Sequence, residues 1–97
     1  MTYFLAGRAE QDVRDIYEYG LRTFGRRQAD LYFEKLHDAF DLAASAPLLN
    51  RLRTYAGFEV RAQICLAHLI FYLINDGDIH IIRILHASVD WQSGKEW

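Results

Sequence analysis

Two long apolar segments on either side of Asp76-Gly77 give the clearest pattern in the chain. They run from His68 to Asn75 and from Asp78 to His86, and they are rich in β-branched and aromatic residues. Asp-Gly is a strong signal for a two-residue type I′ turn, so the pattern predicts a β-hairpin. Neither segment alternates cleanly between apolar and polar residues, so both faces of the hairpin need cover.

A two-residue turn fixes which side chains share a face of this hairpin, because each strand residue then has one opposite partner. We expect the more purely apolar face to be the core. Its members are Leu69, Phe71, Leu73, Asn75, Asp78, His80, Ile82 and Ile84. The other face is apolar too, but it carries an arginine, a tyrosine and a histidine. Its members are His68, Ile70, Tyr72, Ile74, Ile79, Ile81, Arg83 and Leu85.

Two segments before the hairpin have apolar residues at helical spacing. The first predicts a helix from about Gly7 to Thr23, and Gly25 then fits a C-terminal helix stop. The second predicts a helix from about Arg26 to Ser45, which Pro47 ends. Because so short a turn joins them, the two helices are expected to form an antiparallel αα-hairpin.

Short strands are predicted on either side of the helical hairpin. Residues 2–5 suit an N-terminal strand, and residues 58–64 alternate strictly, with Glu59, Arg61 and Gln63 on one face. The predicted fold is α+β, in the order β-α-α-β-β-β, with the helical hairpin packed on one face of an antiparallel sheet and a short C-terminal stub. No segment remains to cover the other sheet face, and an uncovered apolar face indicates a partner site or an aggregation liability.

Composition and charge narrow the class of protein. The 97 residues are 52% hydrophobic and carry a formal net charge of −2. This favours a single domain, residues 1–97, with one modest core. The longest apolar segment is shorter than a membrane span, and residues 1–5 are too short for a secretory leader, so we expect a cytoplasmic protein. Because the net charge is slightly negative, the protein as a whole does not attract nucleic acid, and we expect no sequence-specific DNA binding.

Metal and redox chemistry find little support in the sequence. The single Cys65 cannot form an internal disulfide and resembles a small buried hydrophobe. His37 and His80 fit surface or strand-end positions, and no spacing of His, Cys and Asp resembles a metal site. We therefore expect no metal and no cofactor.

A series of short motifs runs from about residue 3 to residue 91. They are Ala9-x-x-Asp12, Ile16-Tyr17, Phe24-Gly25-x-x-Gln28-Ala29, Tyr32, Leu36, Phe40, Leu42-Ala43, Pro47, Arg61, His68-x-Ile70-x-Tyr72, Ile82-Arg83-Ile84-Leu85-His86 and Asp90. In order and spacing they resemble the ParE toxins of the RelE/ParE toxin–antitoxin superfamily. The resemblance implies the fold predicted above. It also implies a non-enzymatic toxin that inhibits DNA gyrase by protein–protein binding and is held inactive by a ParD-like antitoxin.

The resemblance also directs attention to the second sheet face as an antitoxin site. A disordered antitoxin segment that folds on binding would lie along the helical hairpin and over this face. Its acidic residues would meet Arg61 and Arg83, because arginine favours bidentate contacts with carboxylates. His68 and Tyr72 share the face with Arg83, so we predict these four residues as the antitoxin site. A structural ion pair with an acid such as Glu59 is an equal alternative for Arg83, and a solvated strand face is slightly favoured for Arg61.

Trp91 and Trp97 are the only tryptophans, and they lie in a polar C-terminal stretch. Exposed aromatic residues often anchor protein contacts, so we predict that both touch the target. Truncation after Asp90 would then remove toxicity and spare the fold. The alternative is that Trp91 folds back as a lid on the core, in which case truncation would lower the melting temperature sharply.

Two other functions remain open. RelE-like relatives on this fold cut ribosome-bound messenger RNA, which requires a base, an acid and several cations on the open face. Arg61 and Arg83 could hold a phosphate there, and His86 lies near the place of the acid, but Ala87 stands where some of these nucleases carry a tyrosine. The third hypothesis is a non-toxic module that only binds its antitoxin. We predict no catalytic residue.

Overall fold

The computed structural model describes residues 2–55, 57–93, 95 and 97. Its elements are β1 (Tyr3–Leu5), α1 (Gly7–Phe24), α2 (Arg26–Ser45), β2 (Arg53–Tyr55), β3 (Phe58–Cys65), β4 (His68–Asn75) and β5 (Asp78–His86). The predicted α+β order is confirmed, with β2 as an additional short strand. In these ranges, no helix has the length and apolar character that a membrane crossing requires.

The five strands form one sheet in the order β1-β5-β4-β3-β2. The pairs β3–β4 and β4–β5 are antiparallel, as predicted, and the additional strand β2 is antiparallel to β3. Strand β1 instead lies parallel to β5, with Tyr3 opposite Ile79, so the sheet is mixed. Parallel neighbours require a long connection, and the rest of the chain between β1 and β5 supplies it.

A single glycine forms the joint of the helical hairpin. Gly25 has φ 88°, a conformation that L side chains rarely adopt, and it ends α1 and precedes α2. Its N–H donates to the carbonyl of Leu21 at 3.3 Å, and its carbonyl accepts the N–H of Ala29 at 3.1 Å. The two helices pack closely near this joint. A Cβ added to Gly20 of α1 would lie only 3.3 Å from the Cβ of Ala29 on α2.

The β4–β5 hairpin turns at Asp76-Gly77 as predicted, with φ 51° and 81° at the two residues, as a type I′ turn requires. The predicted register holds from the turn to Tyr72 and is wrong beyond it. A β-bulge places Phe71 opposite Arg83 instead of Ile82. One extra residue in β5 places Ile84 and Leu85 on the faces opposite to those predicted.

The prediction of the core face is wrong. Both helices cover the sheet face that carries Tyr72 and not the face that carries Phe71. The main core consists of Ala9, Val13, Leu36, Ala39, Phe40, Ala43, Ala44, Cys65, Ile70, Tyr72, Ile79, Ile81 and Ile84. Ile84 belongs to it because the bulge exchanges the faces of Ile84 and Leu85. Since both faces are apolar, hydrophobicity alone did not distinguish them.

The C-terminal segment covers the opposite face of the sheet. Val60, Phe71 and Leu85 are buried there, and Trp91 and Trp97 pack against them. The ring of Phe71 lies 5.5 Å from that of Trp91 and 4.8 Å from that of Trp97, measured between ring centres. The indole N–H of Trp97 donates to the carbonyl of Trp91 at 2.8 Å. The expectation that no segment covers this face is therefore wrong.

Candidate functional site

An open apolar groove lies between the helical hairpin and the ends of β4 and β5. Its volume is about 410 Å³. The lining side chains come from both helices and from the sheet: Val13, Ile16, Tyr17, Tyr19, Gly20, Phe24, Gln28, Ala29, Tyr32, Phe33, Leu36, Ala67, His68 and His86. We call this surface the hairpin groove. Its many aromatic residues and few polar groups suit the binding of apolar side chains.

His68 lines the hairpin groove as a neutral side chain. Its Nδ1 lies 2.5 Å from the hydroxyl oxygen of Tyr32, and that oxygen accepts the N–H of Ala67 at 3.3 Å. The ring of His86, opposite on β5, lies 5.2 Å away between ring centres. Burial, and secondly the neighbouring His86, lower the pKa of His68 to about 4. Burial also raises the pKa of Tyr32, so at neutral pH neither side chain brings a charge into the groove.

His86 is exposed at the end of β5 and belongs to a local turn. Its Nδ1 lies 2.6 Å from the hydroxyl of Ser88 and accepts the N–H of Ser88 at 3.1 Å. These bonds orient the chain where it leaves the sheet. Within the described ranges, no three His, Cys, Asp or Glu side chains lie close enough together to hold a metal ion.

Arg83 forms a buried ion pair with Asp12 of α1 and not with Glu59. Its Nε and Nη2 donate to the two carboxylate oxygens at 2.8 and 3.0 Å, and Arg83 is 8% exposed. One of these oxygens also accepts the N–H of Ile84 at 2.9 Å. Because the guanidinium fork is occupied inside the chain, the geometry does not support direct contact between Arg83 and an antitoxin.

Sequence reasoning missed Asp12 as the partner of Arg83, although a signal for it exists. Asp12 lies within one helical turn of Ala9, Val13 and Ile16, so it falls on the apolar face of α1. A carboxylate on a buried helix face needs a partner, and an arginine in an apolar strand needs one too. These complementary requirements point to one contact between α1 and β5.

Tyr72 and Arg61 anchor the loop of residues 46–52, which joins α2 to β2. Tyr72 is 0% exposed, and its hydroxyl donates to the carbonyl of Pro47 at 2.6 Å. Arg61 is half-buried and donates to the carbonyl of Asn50 at 2.6 Å. Direct antitoxin contact by Tyr72 is therefore not supported by this geometry.

The four residues predicted for antitoxin binding do not form one surface. Of these, His68 lines the hairpin groove, whereas Arg61 and Tyr72 border a separate cleft and Arg83 is held by α1. The tryptophans predicted for target binding are half-buried against Phe71, as the alternative for Trp91 required. Their contact with a target stays a prediction.

Comparison with known proteins gives a consistent result. A family model described as "ParE toxin of type II toxin-antitoxin system, parDE" matches residues 3–91. The protein "Toxin ParE1" of Mycobacterium tuberculosis is 28% identical over 89 residues, and the match covers 91% of each chain. "Toxin ParE1" of Caulobacter vibrioides is 28% identical over 88 residues, again with 91% of each chain covered.

The fold is also found among solved structures. A chain from the structure "Chromosomal ParDE TA system from P. aeruginosa" superposes with a TM-score of 0.77. The match covers 89% of this chain and 95% of the other, at 16% sequence identity. The similarity therefore concerns the fold as a whole, including the helical hairpin that forms the groove.

Proposed function

Because the chain belongs to the ParE family of toxins from type II toxin–antitoxin systems, we propose that it inhibits DNA gyrase and that a ParD-like antitoxin neutralises it. The family match over residues 3–91 carries this proposal. The proposed target places the action of the toxin in the cytoplasm.

We assign the antitoxin to the hairpin groove. An amphipathic antitoxin helix would insert apolar side chains at intervals of three and four residues, as other helices do in apolar grooves. Phe24, at one end of the groove, is 64% exposed and offers an aromatic contact. Arg22, Arg26 and Arg27 are exposed around the same end, so acidic residues of the antitoxin would be favoured there.

The surroundings of the two arginines support binding rather than catalysis. An RNA-cleaving toxin would need Arg61 and Arg83 as phosphate contacts on an open surface. Here Arg61 donates to the Asn50 carbonyl, and Arg83 donates to the carboxylate of Asp12. A toxin that acts by occupying its target needs neither of them free.

Two assays run side by side test the proposed target. Supercoiling by purified gyrase is measured with and without the chain, and messenger RNA cleavage is measured on translating ribosomes. We expect inhibition of supercoiling that the antitoxin reverses. Cleavage without an effect on gyrase would instead support the RelE-like alternative, and antitoxin binding without either activity would support the non-toxic module.

A single substitution tests the antitoxin site. Phe24→Asp places a charge in the hairpin groove and should weaken antitoxin binding at least about tenfold, because an unpaired charge must lose water there. Leu21→Asp is the matched control, since Leu21 is an exposed residue of α1 outside the groove lining. Equal effects of both substitutions in binding titrations would place the antitoxin elsewhere.

A further inference from the structure

The loop of residues 46–52 presents two adjacent leucines to solvent. Leu48 is 72% exposed and Leu49 is 82% exposed. These are the highest exposures among the large apolar side chains of the described residues. Single exposed leucines are common on protein surfaces, but an adjacent pair at the tip of one loop is a concentrated apolar feature.

The backbone around the leucines forms a closed turn. The N–H of Leu49 donates to the carbonyl of Ala46 at 3.2 Å, which leaves Pro47 and Leu48 as the central residues. Proline suits the first central position of such a turn, because its ring fixes φ near the required value. Pro47 itself is buried, so the turn is rooted in the domain while the leucines point away from it.

Strands β3 and β4 hold the loop on both sides of the leucine pair. Before the pair, the carbonyl of Pro47 accepts the buried hydroxyl of Tyr72 at 2.6 Å. After the pair, the carbonyl of Asn50 accepts Arg61 at 2.6 Å, and the side chain of Asn50 donates to Gln63 at 2.8 Å. A loop fixed in this way loses little conformational entropy when it binds a partner.

The charge beside the leucines is positive. Arg51 and Arg53 lie two and four positions after Leu49 and are exposed. Arginine favours bidentate contact with carboxylates. A complementary surface would therefore offer an apolar cleft bordered by acidic side chains.

This loop is separate from the hairpin groove. Helix α2 contributes to the groove from Gln28 to Leu36. The loop begins about ten residues later, which is ~15 Å further along the helix axis at ~1.5 Å per residue. The groove lining thus includes neither Leu48 nor Leu49.

We propose that the leucine loop, defined as Leu48 and Leu49 with Arg51 and Arg53, is the surface through which this chain holds its target protein. This inference rests on the proposed function, because it takes the target to be a protein, and it adds the surface and its chemistry. The partner surface is an apolar cleft bordered by carboxylates.

The test replaces both leucines by a polar residue of similar size. Leu48→Gln combined with Leu49→Gln should reduce affinity for purified gyrase subunits about tenfold or more, because burial of even one exposed leucine exceeds one tenfold step in affinity. Growth arrest on induction without antitoxin should fall in parallel. The melting temperature and the antitoxin affinity should stay unchanged, because the side chains are exposed and lie outside the groove. The double substitution to Met, which keeps the apolar surface, should retain toxicity.

Leu31→Gln is the control, because Leu31 is 45% exposed on α2 and does not line the groove. Full toxicity of the double Gln variant, an equal loss in the Leu31→Gln control, or a loss of antitoxin affinity would overturn the proposal. So would leucine-dependent binding to vesicles of phosphatidylglycerol and phosphatidylethanolamine, which would identify a membrane contact.

The same measurements separate this inference from the proposed function. A wild-type chain that arrests growth without binding gyrase refutes gyrase as the target, and the growth assay of the double Gln variant then still decides on the loop. A wild-type chain that neither arrests growth nor binds gyrase overturns both.

Discussion

At the scale of single residues, the contact between Asp12 and Arg83 couples helix α1 to the bulge in β5. The two side chains are only 11% and 10% exposed, so each charge depends on the other. Asp12→Asn should lower the free energy of unfolding by about 3–5 kcal/mol, because it leaves a buried guanidinium without its counter-charge. Urea denaturation measures this change.

The exposed pair between Arg26 and Asp30, 3.7 Å apart, provides the comparison. Arg26→Ala should change stability little, because water and salt screen such a pair. A double variant that replaces Asp12 by Leu and Arg83 by Met should recover much of the loss, since no buried charge remains unpaired. Equal destabilisation by Asp12→Asn and Arg26→Ala would show that the buried pair has no special role.

His68 makes stability depend on pH. Its pKa is about 4 in the folded chain and near its ordinary value of 6.5 in the unfolded chain. As the pH falls from 6.5 towards 4, the unfolded chain takes up a proton that the folded chain does not, so the free energy of unfolding decreases. The groups facing His68 are Tyr32 on α2, His86 on β5 and Asp12 on α1, whose charge opposes the shift.

His68→Phe should therefore reduce the fall in melting temperature between pH 7 and pH 4.5. Thermal unfolding at the two pH values measures this, with His80→Gln as a control at a histidine outside the hairpin groove. The difference between the two variants then reports on His68. An unchanged fall in the His68→Phe variant would contradict the shifted pKa.

At the scale of elements, the C-terminal segment acts as a cover for the sheet. Trp91 and Trp97 shield Phe71, which is 0% exposed, and Leu85. Truncation after Asp90 should lower the melting temperature by roughly 10 °C, because loss of the two aromatic contacts removes about 2 kcal/mol from a domain of this size. Thermal melts of the full and the truncated chain measure this. A truncated chain that melts like the full one but no longer arrests growth would instead support target contact by the tryptophans.

The elements also show what could be predicted from the sequence. The Asp76-Gly77 turn and the Gly25 joint were predictable, because each depends on a residue type that its own backbone conformation requires. The bulge in β5 was not predictable in this way. The Ile84 N–H at the bulge is bonded by Asp12, which lies 72 positions earlier in the chain. Local patterns contain no information about such a contact.

The candidate site was predicted less well than the fold for a related reason. Both faces of the β4–β5 hairpin are apolar, so the sequence did not show which face the helices take and which face receives Trp91 and Trp97. The helices cover the face that carries Tyr72, so the core lies on the opposite face from the one expected. Tyr72 and Arg83 are therefore enclosed. His68 still borders an open groove, because it lies at a strand end that the helical hairpin does not cover, and its contact with an antitoxin stays a prediction.

At the scale of the whole molecule, the hairpin groove and the leucine loop are both open apolar surfaces. A chain with both exposed should self-associate and bind a dye specific for apolar surface, and the antitoxin should cover only the groove. We therefore expect dye fluorescence to fall in part on addition of antitoxin. In the Leu48→Gln and Leu49→Gln double variant, most of the dye fluorescence that remains with antitoxin bound should be lost. Fluorescence titration and light scattering measure this. Complete loss of dye binding with antitoxin alone would show that the antitoxin covers the leucine loop as well, and growth arrest would then be relieved by direct competition for one surface.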